Sequence, residues 1–476
     1  MKNCFKTAFL FLTVWLMVPV LYAQWTGPVN LSPNAISAGL NESMGSCIGV
    51  SGDTVHVVYG DRFNATHGAI FYTRSTDNGL TWSNPEAITD SAGNAWNAAI
   101  SVNGPAVHVV WREIDTLDNH RSSHYIHSMD GGTTWDAPVT LDSPVANWPA
   151  VASSGNNVYV VNDIVTSSSP YNTEIFFLTS ADNGFTWGSH RQITFAVGRS
   201  EDEAIHAQGQ DLFMSWNDNR SGQMQIFFKH SGNGGIAWDS DLVVIPPFDY
   251  GTMVGSDNNH IDVVAAGAPS GHYQVRLAQS ADLGYTWSPE KDLTSDTAYT
   301  YYYPDMVRDG EELHVTCVKA FFGAQYLHSQ DGGISWDPPY TLGFSGITPF
   351  IAYSGCVLHV ILPDSGHINY YRNPTGNGGP HCPDTTAIES VPRQSFQVKV
   401  YPDPMDAEAT VELIPPSLSA EAVLIVYDVY GRQLFYKRFG RDYKMVLNRD
   451  QLGSGVRYYR VLLRDKIMAT GKLVVM

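Results

Sequence analysis

The chain has 476 residues, 43% of them hydrophobic and 16% charged, enough for a large core and for more than one domain. Its formal net charge of −19 repels phosphate backbones and argues against nucleic acid as a partner. The charge is uneven: residues 392–476 hold 13 Lys/Arg against 9 Asp/Glu, so the acidity lies upstream and a domain boundary is expected near residue 392.

The N-terminus, MKNCFKTAFLFLTVWLMVPVLYAQ, has two lysines, an apolar run and a small residue, Ala23. This pattern predicts a secretory signal peptide over residues 1–23. No later apolar run is long enough to span a bilayer, so the mature protein is expected to be secreted or held at the outer cell surface, with no transmembrane segment. Four cysteines remain after cleavage, Cys47, Cys317, Cys356 and Cys382, and they form no CxxC pair. That spacing argues against zinc, and no metal or cofactor is expected. Cys356 and Cys382 are a candidate disulfide, with buried thiols as the alternative.

From residue 25 the chain repeats. An eight-residue box reads STDNGLTW at 75–82 and SMDGGTTW at 128–135, then SADNGFTW at 180–187 and SGNGGIAW at 231–238. SADLGYTW at 280–287 and SQDGGISW at 329–336 complete the set. The box tryptophans are 49 to 53 residues apart, the period of one four-stranded propeller blade. Between boxes runs a second landmark, an alternating strand: VHVVY at 55–59, VHVVW at 107–111, and so on to LHVIL at 358–362, seven in all. WTGPVNLS at 25–32 resembles the stretches that follow the boxes, whereas the last unit, 347–373, lacks both a box and an outer strand. Joining the first strand to the last unit closes a ring and removes exposed sheet edges. Seven blades are therefore expected, with six as the alternative if the last unit is only a cap.

The pattern Ser-x-Asp-x-Gly-x-Thr-Trp resembles the Asp-box of sialidases and other propellers built from bacterial-neuraminidase repeats, over roughly residues 25–375. The resemblance implies an all-β Asp-box propeller over residues 24–375. The residues give the box a structural reading: Gly79 supplies a positive φ, Asp77 and Thr81 satisfy turn amides, and Trp82 packs between blades. Asp77, Asp130, Asp182, Asn233, Asp282 and Asp331 are accordingly expected to be structural. Each box falls between the third and fourth strands of its blade, so ligands are expected on the opposite face.

On that face the connections after the second strands carry Asp61 and Arg62, Arg112 and Glu113, and Asp218 and Arg220. The connections leading into the innermost strands carry Trp96, Trp148, Tyr250 and Tyr302, with an acidic SEDE at 200–203. Arginine forks grip carboxylates and flat aromatics pack against sugar rings. Arg62, Arg112, Trp96, Trp148, Asp218, Arg220, Tyr250 and Tyr302 are therefore the candidate ligand contacts. Salt bridging by the Asp–Arg pairs and filling of the central channel by the aromatics are the structural alternatives. A histidine row, His56, His108, His314 and His359, is spread around the ring and reads as packing or hydrogen bonding.

The resemblance to sialidases further implies three arginines on a substrate carboxylate, an aspartic acid donor and a tyrosine nucleophile paired with a glutamate, an exception to the two-carboxylate scheme. The family's first arginine comes from an Arg-Ile-Pro motif; here that region is NESMGSCIGV at 41–50, without arginine. The family's donor loop corresponds to FNATHG at 63–68, which has no carboxylate. No catalytic residue is therefore assigned, and Asp61, Arg62, Arg112 and Arg220 are the candidates.

Residues 376–394 carry Gly, Pro and Thr and read as a linker. Beyond it, VYPDPMDAEATVEL at 400–413, LIVYDVYGRQL at 424–434 and LGSGVRYYRVLLRDKIMATGKLVVM at 452–476 alternate like strands. Together they resemble the C-terminal sorting domain of the type IX secretion system of Bacteroidetes, with Asp403 where that family usually has Asn. The resemblance implies a small β-sandwich over residues 395–476, recognised by that machinery at the outer membrane. The expected function is an exported propeller that binds a glycan or protein ligand without catalysis. The alternatives are an exo-acting glycoside hydrolase of sialidase type and a structural surface protein.

Overall fold

The computed structural model describes residues 25–374 and 397–476, apart from short segments at 42–44, 65–66, 91–92, 116–119, 143–146, 247–248, 258, 269–270, 297, 344–347, 415–421, 429–432, 440–442 and 464–465. The expected signal peptide, the linker and Cys382 lie outside the described residues. Two compact units divide within the linker region, Met1–Asp384 and Thr385–Met476.

In the first unit the alternating segments form seven antiparallel sheets. Their second strands are Thr54–Arg62, Ala106–Ile114, Asn157–Ser168, Asp211–Asp218, His260–Gly267, Glu312–Lys319 and Val357–Asp364. The blades are numbered here in that order. Six sheets take their four main strands consecutively from the chain. The seventh takes its outermost strand from the N-terminus: Thr26–Asn30 pairs with His367–Asn373, Val29 opposite Tyr370. Each innermost strand packs on the next, and Phe350–Ser354 packs on Ile48–Ser51, so the ring is closed. All seven innermost strands line a central cavity of ≈ 450 Å³. Blade 1 is irregular, because Ala38–Gly39 covers one end of Thr54–Arg62 and Ile48–Ser51 the other.

The boxes work as staples between blades. In the first box the Ser75 hydroxyl accepts the Gly79 amide at 2.8 Å and donates to Asp77 at 2.7 Å. Asp77 accepts the Thr81 amide at 2.8 Å and the Thr81 hydroxyl at 2.6 Å. These bonds, led by the Thr81 hydroxyl, hold the Asp77 carboxyl down at about 2. Gly79 has φ +81°, and a Cβ there would strike the Tyr370 hydroxyl. Only glycine satisfies both conditions. Where Asn233 replaces the acid, its oxygen still accepts the Ala237 amide at 2.9 Å.

Each box then sends its tryptophan onto the third strand of the preceding blade. Edge-to-face contacts join Trp82 to Tyr370, Trp135 to Tyr72, Trp187 to Tyr125, Trp238 to Phe177 and Trp287 to Phe228, at 4.7 to 5.5 Å. Trp25, with no box before it, makes the same contact with Tyr326 at 5.0 Å. The histidine row supports the receiving tyrosines. His56, His108, His314 and His359 each place Nδ1 2.7 Å from a hydroxyl, on Tyr72, Tyr125, Tyr326 and Tyr370 in turn. Burial lowers these imidazoles, His56 to about 4 and His108 and His359 to about 3, so these rings are neutral. The Tyr72 and Tyr125 hydroxyls donate onward to the Gly131 and Asn183 carbonyls, which leaves His56 and His108 to donate from Nδ1. Blades 3 and 4 have phenylalanine at the tyrosine position, and there the histidine is replaced by Tyr159 and Phe213.

In the second unit a three-stranded sheet and a four-stranded sheet enclose an apolar core that includes Val411, Leu424, Leu447, Val461 and Leu473. Asp403 accepts the Val474 amide at 2.8 Å, and the Met405 amide donates to the Val474 carbonyl at the same distance. An asparagine oxygen at position 403 could accept the same amide, so the departure at that position leaves this contact available.

Candidate functional site

On the face opposite the boxes, two arginine–tryptophan plates bridge adjacent blades. Arg62 leaves the second strand of blade 1 exposed, with its guanidinium carbon 4.5 Å from the ring centre of Trp96, at the start of blade 2. Gly39 and Gly60 lie beneath that indole, where a Cβ would come within 3.0 and 2.6 Å of the ring. The sequence therefore leaves a gap in blade 1 that Trp96 fills. Arg112 of blade 2 repeats the arrangement at 5.6 Å from Trp148, which precedes blade 3. Beside Trp96 opens a cavity of ≈ 350 Å³ whose polar lining includes Ser37, Thr348, Asp364 and Ser365.

The candidate carboxylates Asp61 and Asp218 are already engaged. Asp61 is buried and accepts the amides of Ile36 and Ser37, the latter at 2.8 Å. It fixes the entry to Ala38–Gly39. Asp218 is buried and accepts from the Arg220 guanidinium at 2.9 and 2.6 Å, from the Ser200 hydroxyl and from the Trp216 indole. Arg220 continues to Asp241 at 2.8 Å, and Asp241 to Lys229 at 2.7 Å. This salt-bridge network lies within blade 4. Tyr302 is 37% exposed and rests near Tyr273 and Tyr303. The side chain of Tyr250 lies outside the described residues. Trp96, Trp148 and Tyr302 do not line the central cavity.

A carboxyl cluster accompanies the Trp148 plate. Asp163 of blade 3 accepts the Asn147 amide group at 2.6 Å and the Trp148 backbone amide at 3.2 Å. Asn147 in turn accepts from Arg121 at 2.6 Å. From blade 4 come Glu201, paired with Arg199 at 3.2 Å, and Asp202, which accepts from Asn217 at 2.8 Å. Next in sequence is Glu203, fully buried, with no side-chain donor on either carboxyl oxygen. Burial first, then mutual repulsion, raises these groups: Asp163 to about 6, Asp202 to about 7 and Glu203 well above the usual carboxyl range. Such acids hold protons near neutral pH, as a proton donor must.

Residues 21–315 match the family of BNR repeat-like domains. The chain belongs to that family. A sialidase of Bacteroides fragilis is 22% identical over 296 residues, covering 52% of this chain and 54% of that protein. The chain thus spans about half the length of the curated relative it matches. Among solved structures, phage phi92 endosialidase superposes with a TM-score of 0.44 at 11% identity, covering 85% of this chain and 78% of that one. Trypanosoma rangeli sialidase gives 0.42 at 10%, covering 95% and 89%. An α-L-arabinofuranosidase of Fusarium graminearum gives 0.43 at 13%, covering 56% and 89%.

In this BNR-repeat propeller the candidate arginines have separate partners: Arg62 stacks on Trp96, Arg112 on Trp148, and Arg220 binds Asp218 and Asp241. Sequence reading marked SEDE as acidic but missed Asp163, Asn147 and Arg121. The available signal was Asp163 itself, a charge midway along the second strand of blade 3, between the apolar pairs Val160–Val161 and Ile164–Val165. It also gave no role to the glycines under Trp96, although Gly60 interrupts the strand alternation at the site where the indole lands.

Proposed function

We propose that the propeller is an extracellular binding module for a carboxylate-bearing glycan, which it holds on the face opposite the boxes without cleaving it. The observation that carries this reading is the Arg62–Trp96 plate beside its ≈ 350 Å³ cavity. A guanidinium held over an indole offers a fork for a carboxylate next to an apolar face for a sugar ring. The commitment of Asp61 to the Ile36 and Ser37 amides supports binding over bond cleavage at this plate. Calorimetric titration with sialylated and uronic-acid oligosaccharides, against their neutral counterparts, tests the proposal. Arg62→Ala and Trp96→Ala should each weaken binding about tenfold, a loss of about 1.4 kcal/mol. Equal affinity for charged and neutral sugars would overturn it, and no binding of any glycan would favour a protein ligand or a structural surface role.

A second reading, an exo-acting glycoside hydrolase of sialidase type, draws on the Bacteroides fragilis relative and on the proton-holding Asp163 and Asp202. Its signature is release of sialic acid from a fluorogenic sialoside, abolished by Asp202→Asn. We also propose that residues 1–23 direct export and that residues 395–476 are the type IX sorting domain, with that secretion machinery as partner. Mass spectrometry of the released protein should find an N-terminus at Gln24. Deleting residues 395–476 should retain the propeller inside the cell envelope; surface delivery of the deleted chain would refute the sorting role.

A further inference from the structure

Blade 6 departs from its siblings at one place on the box side. Glu312 and His314 stand at the start of its second strand, and His328, the cross-strand partner of His314, at the end of its third. All three are buried, and one ligand atom from each lies within 4.8 Å of the others. We propose that Glu312, His314 and His328 form a site for a divalent transition-metal ion, zinc above all.

Hydrogen bonding around the two imidazoles suits that role. The Nδ1 of His328 is 2.8 Å from the Asp337 carboxylate, and the Nδ1 of His314 is 2.7 Å from the Tyr326 hydroxyl. Each contact can hold its ring with the proton on Nδ1, which leaves Nε2 as the ligand nitrogen. Metal-binding histidines are oriented by this kind of outer contact. One carboxyl oxygen of Glu312 reaches His328 Nε2, and the other, Oε1, is buried without a hydrogen-bond partner. A bridging imidazolium accounts for the first oxygen but leaves the second orphaned, which is costly in a buried site. A cation carrying a water ligand could satisfy both, one oxygen by coordination and the other through the hydrogen bond of that water. Binding would displace the proton shared between Glu312 and His328. Two nitrogens and one carboxylate oxygen, with water in a fourth position, match the preferences of Zn²⁺; Mg²⁺ and Ca²⁺ prefer all-oxygen sets.

The repeat supplies the internal control. At the three equivalent positions blade 2 has Ala106, His108 and His127, and blade 4 has Asp211, Phe213 and His230. Each has part of the set, and among the described residues blade 6 alone has all three. Glu312→Ala with His314→Phe therefore installs side chains that the same fold accepts elsewhere.

The full-length protein should be equilibrated with Zn²⁺, desalted and assayed by elemental analysis. Wild type should retain about one zinc per chain, and the E312A/H314F protein, shown folded by circular dichroism, about none. Zinc should also raise the melting temperature of wild type but not of the variant, while Mg²⁺ raises neither. Glu312→Gln provides a second readout should the double variant fail to fold, and it too should lose the zinc. No retained zinc in wild type, or equal retention in folded variants, overturns the site.

Discussion

Asp202 and Asn97 occupy equivalent places at the start of their innermost strands, both with positive φ, 55° and 53°. Asparagine tolerates that backbone well and carries no charge to bury. The acid in blade 4 is therefore a departure that destabilises the fold near neutral pH. Its folded carboxyl holds a proton up to about pH 7, against a reference value of 3.8. The folded state binds the additional proton between those values, so stability declines as pH rises from about 4 to about 7. Asp202→Asn should remove that decline, with little change at pH 4 and a gain of up to about 4 kcal/mol at pH 8. Denaturant melts at the two pH values measure the difference. A variant equally destabilised at both would show that the acid serves packing alone.

The same scale explains what the sequence could and could not convey. Gly79 and Trp82 were readable because a positive φ and a large interblade ring admit few residue types. Asp61 is a catalytic candidate by sequence, yet it accepts amides 24 and 25 residues upstream, in a segment with no strand pattern to announce it. The histidine row was visible, but its tyrosines lie 11 to 17 residues later on the next strand. Alternation gives the face of a strand and not the partner across it. The buried carboxyls come from blades 3 and 4, so their meeting depends on the ring and not on local spacing.

At the scale of the element, blade-to-blade variation predicts how each staple responds to change. Tyr72→Phe alone should cost about 1–3 kcal/mol, because the buried Nδ1–H of His56 loses its acceptor. Adding His56→Phe recreates the Phe213–Phe228 pair of blade 4 and should recover part of that loss, a coupling that a double-mutant cycle on chemical denaturation would reveal. Additive losses would mean that the two residues act separately. The boxes add an acid-range dependence. Asp77, Asp182 and Asp331 are held down at about 2 by bonds from their own turns. Their contribution is complete above the ordinary carboxyl value near 4 and is lost as pH falls through about 2. Replacing all three with asparagine, as nature does at Asn233, should keep the amide contact and flatten the fall in melting temperature between pH 5 and pH 2.

For the molecule as a whole, the short strand Thr26–Asn30 has a part that no other outermost strand has, since it joins the two ends of the ring. Its closure was legible from a count: one orphan strand in front, one incomplete unit behind. The geometry adds that Trp25 closes the ring with the same contact the boxes use, at 5.0 Å from Tyr326. Trp25→Ala should therefore cost about 3–5 kcal/mol, the range for removing a packed tryptophan. Deleting residues 25–30 should do more, because it uncovers the edge of His367–Asn373 and invites pairing between chains. Light scattering should then show concentration-dependent association of the deleted protein, and a peptide of residues 25–32 added in excess should suppress it. The opposing outcome, a deleted chain that stays monomeric and melts with wild type, would mean that packing among the innermost strands closes the ring without the seventh outer strand.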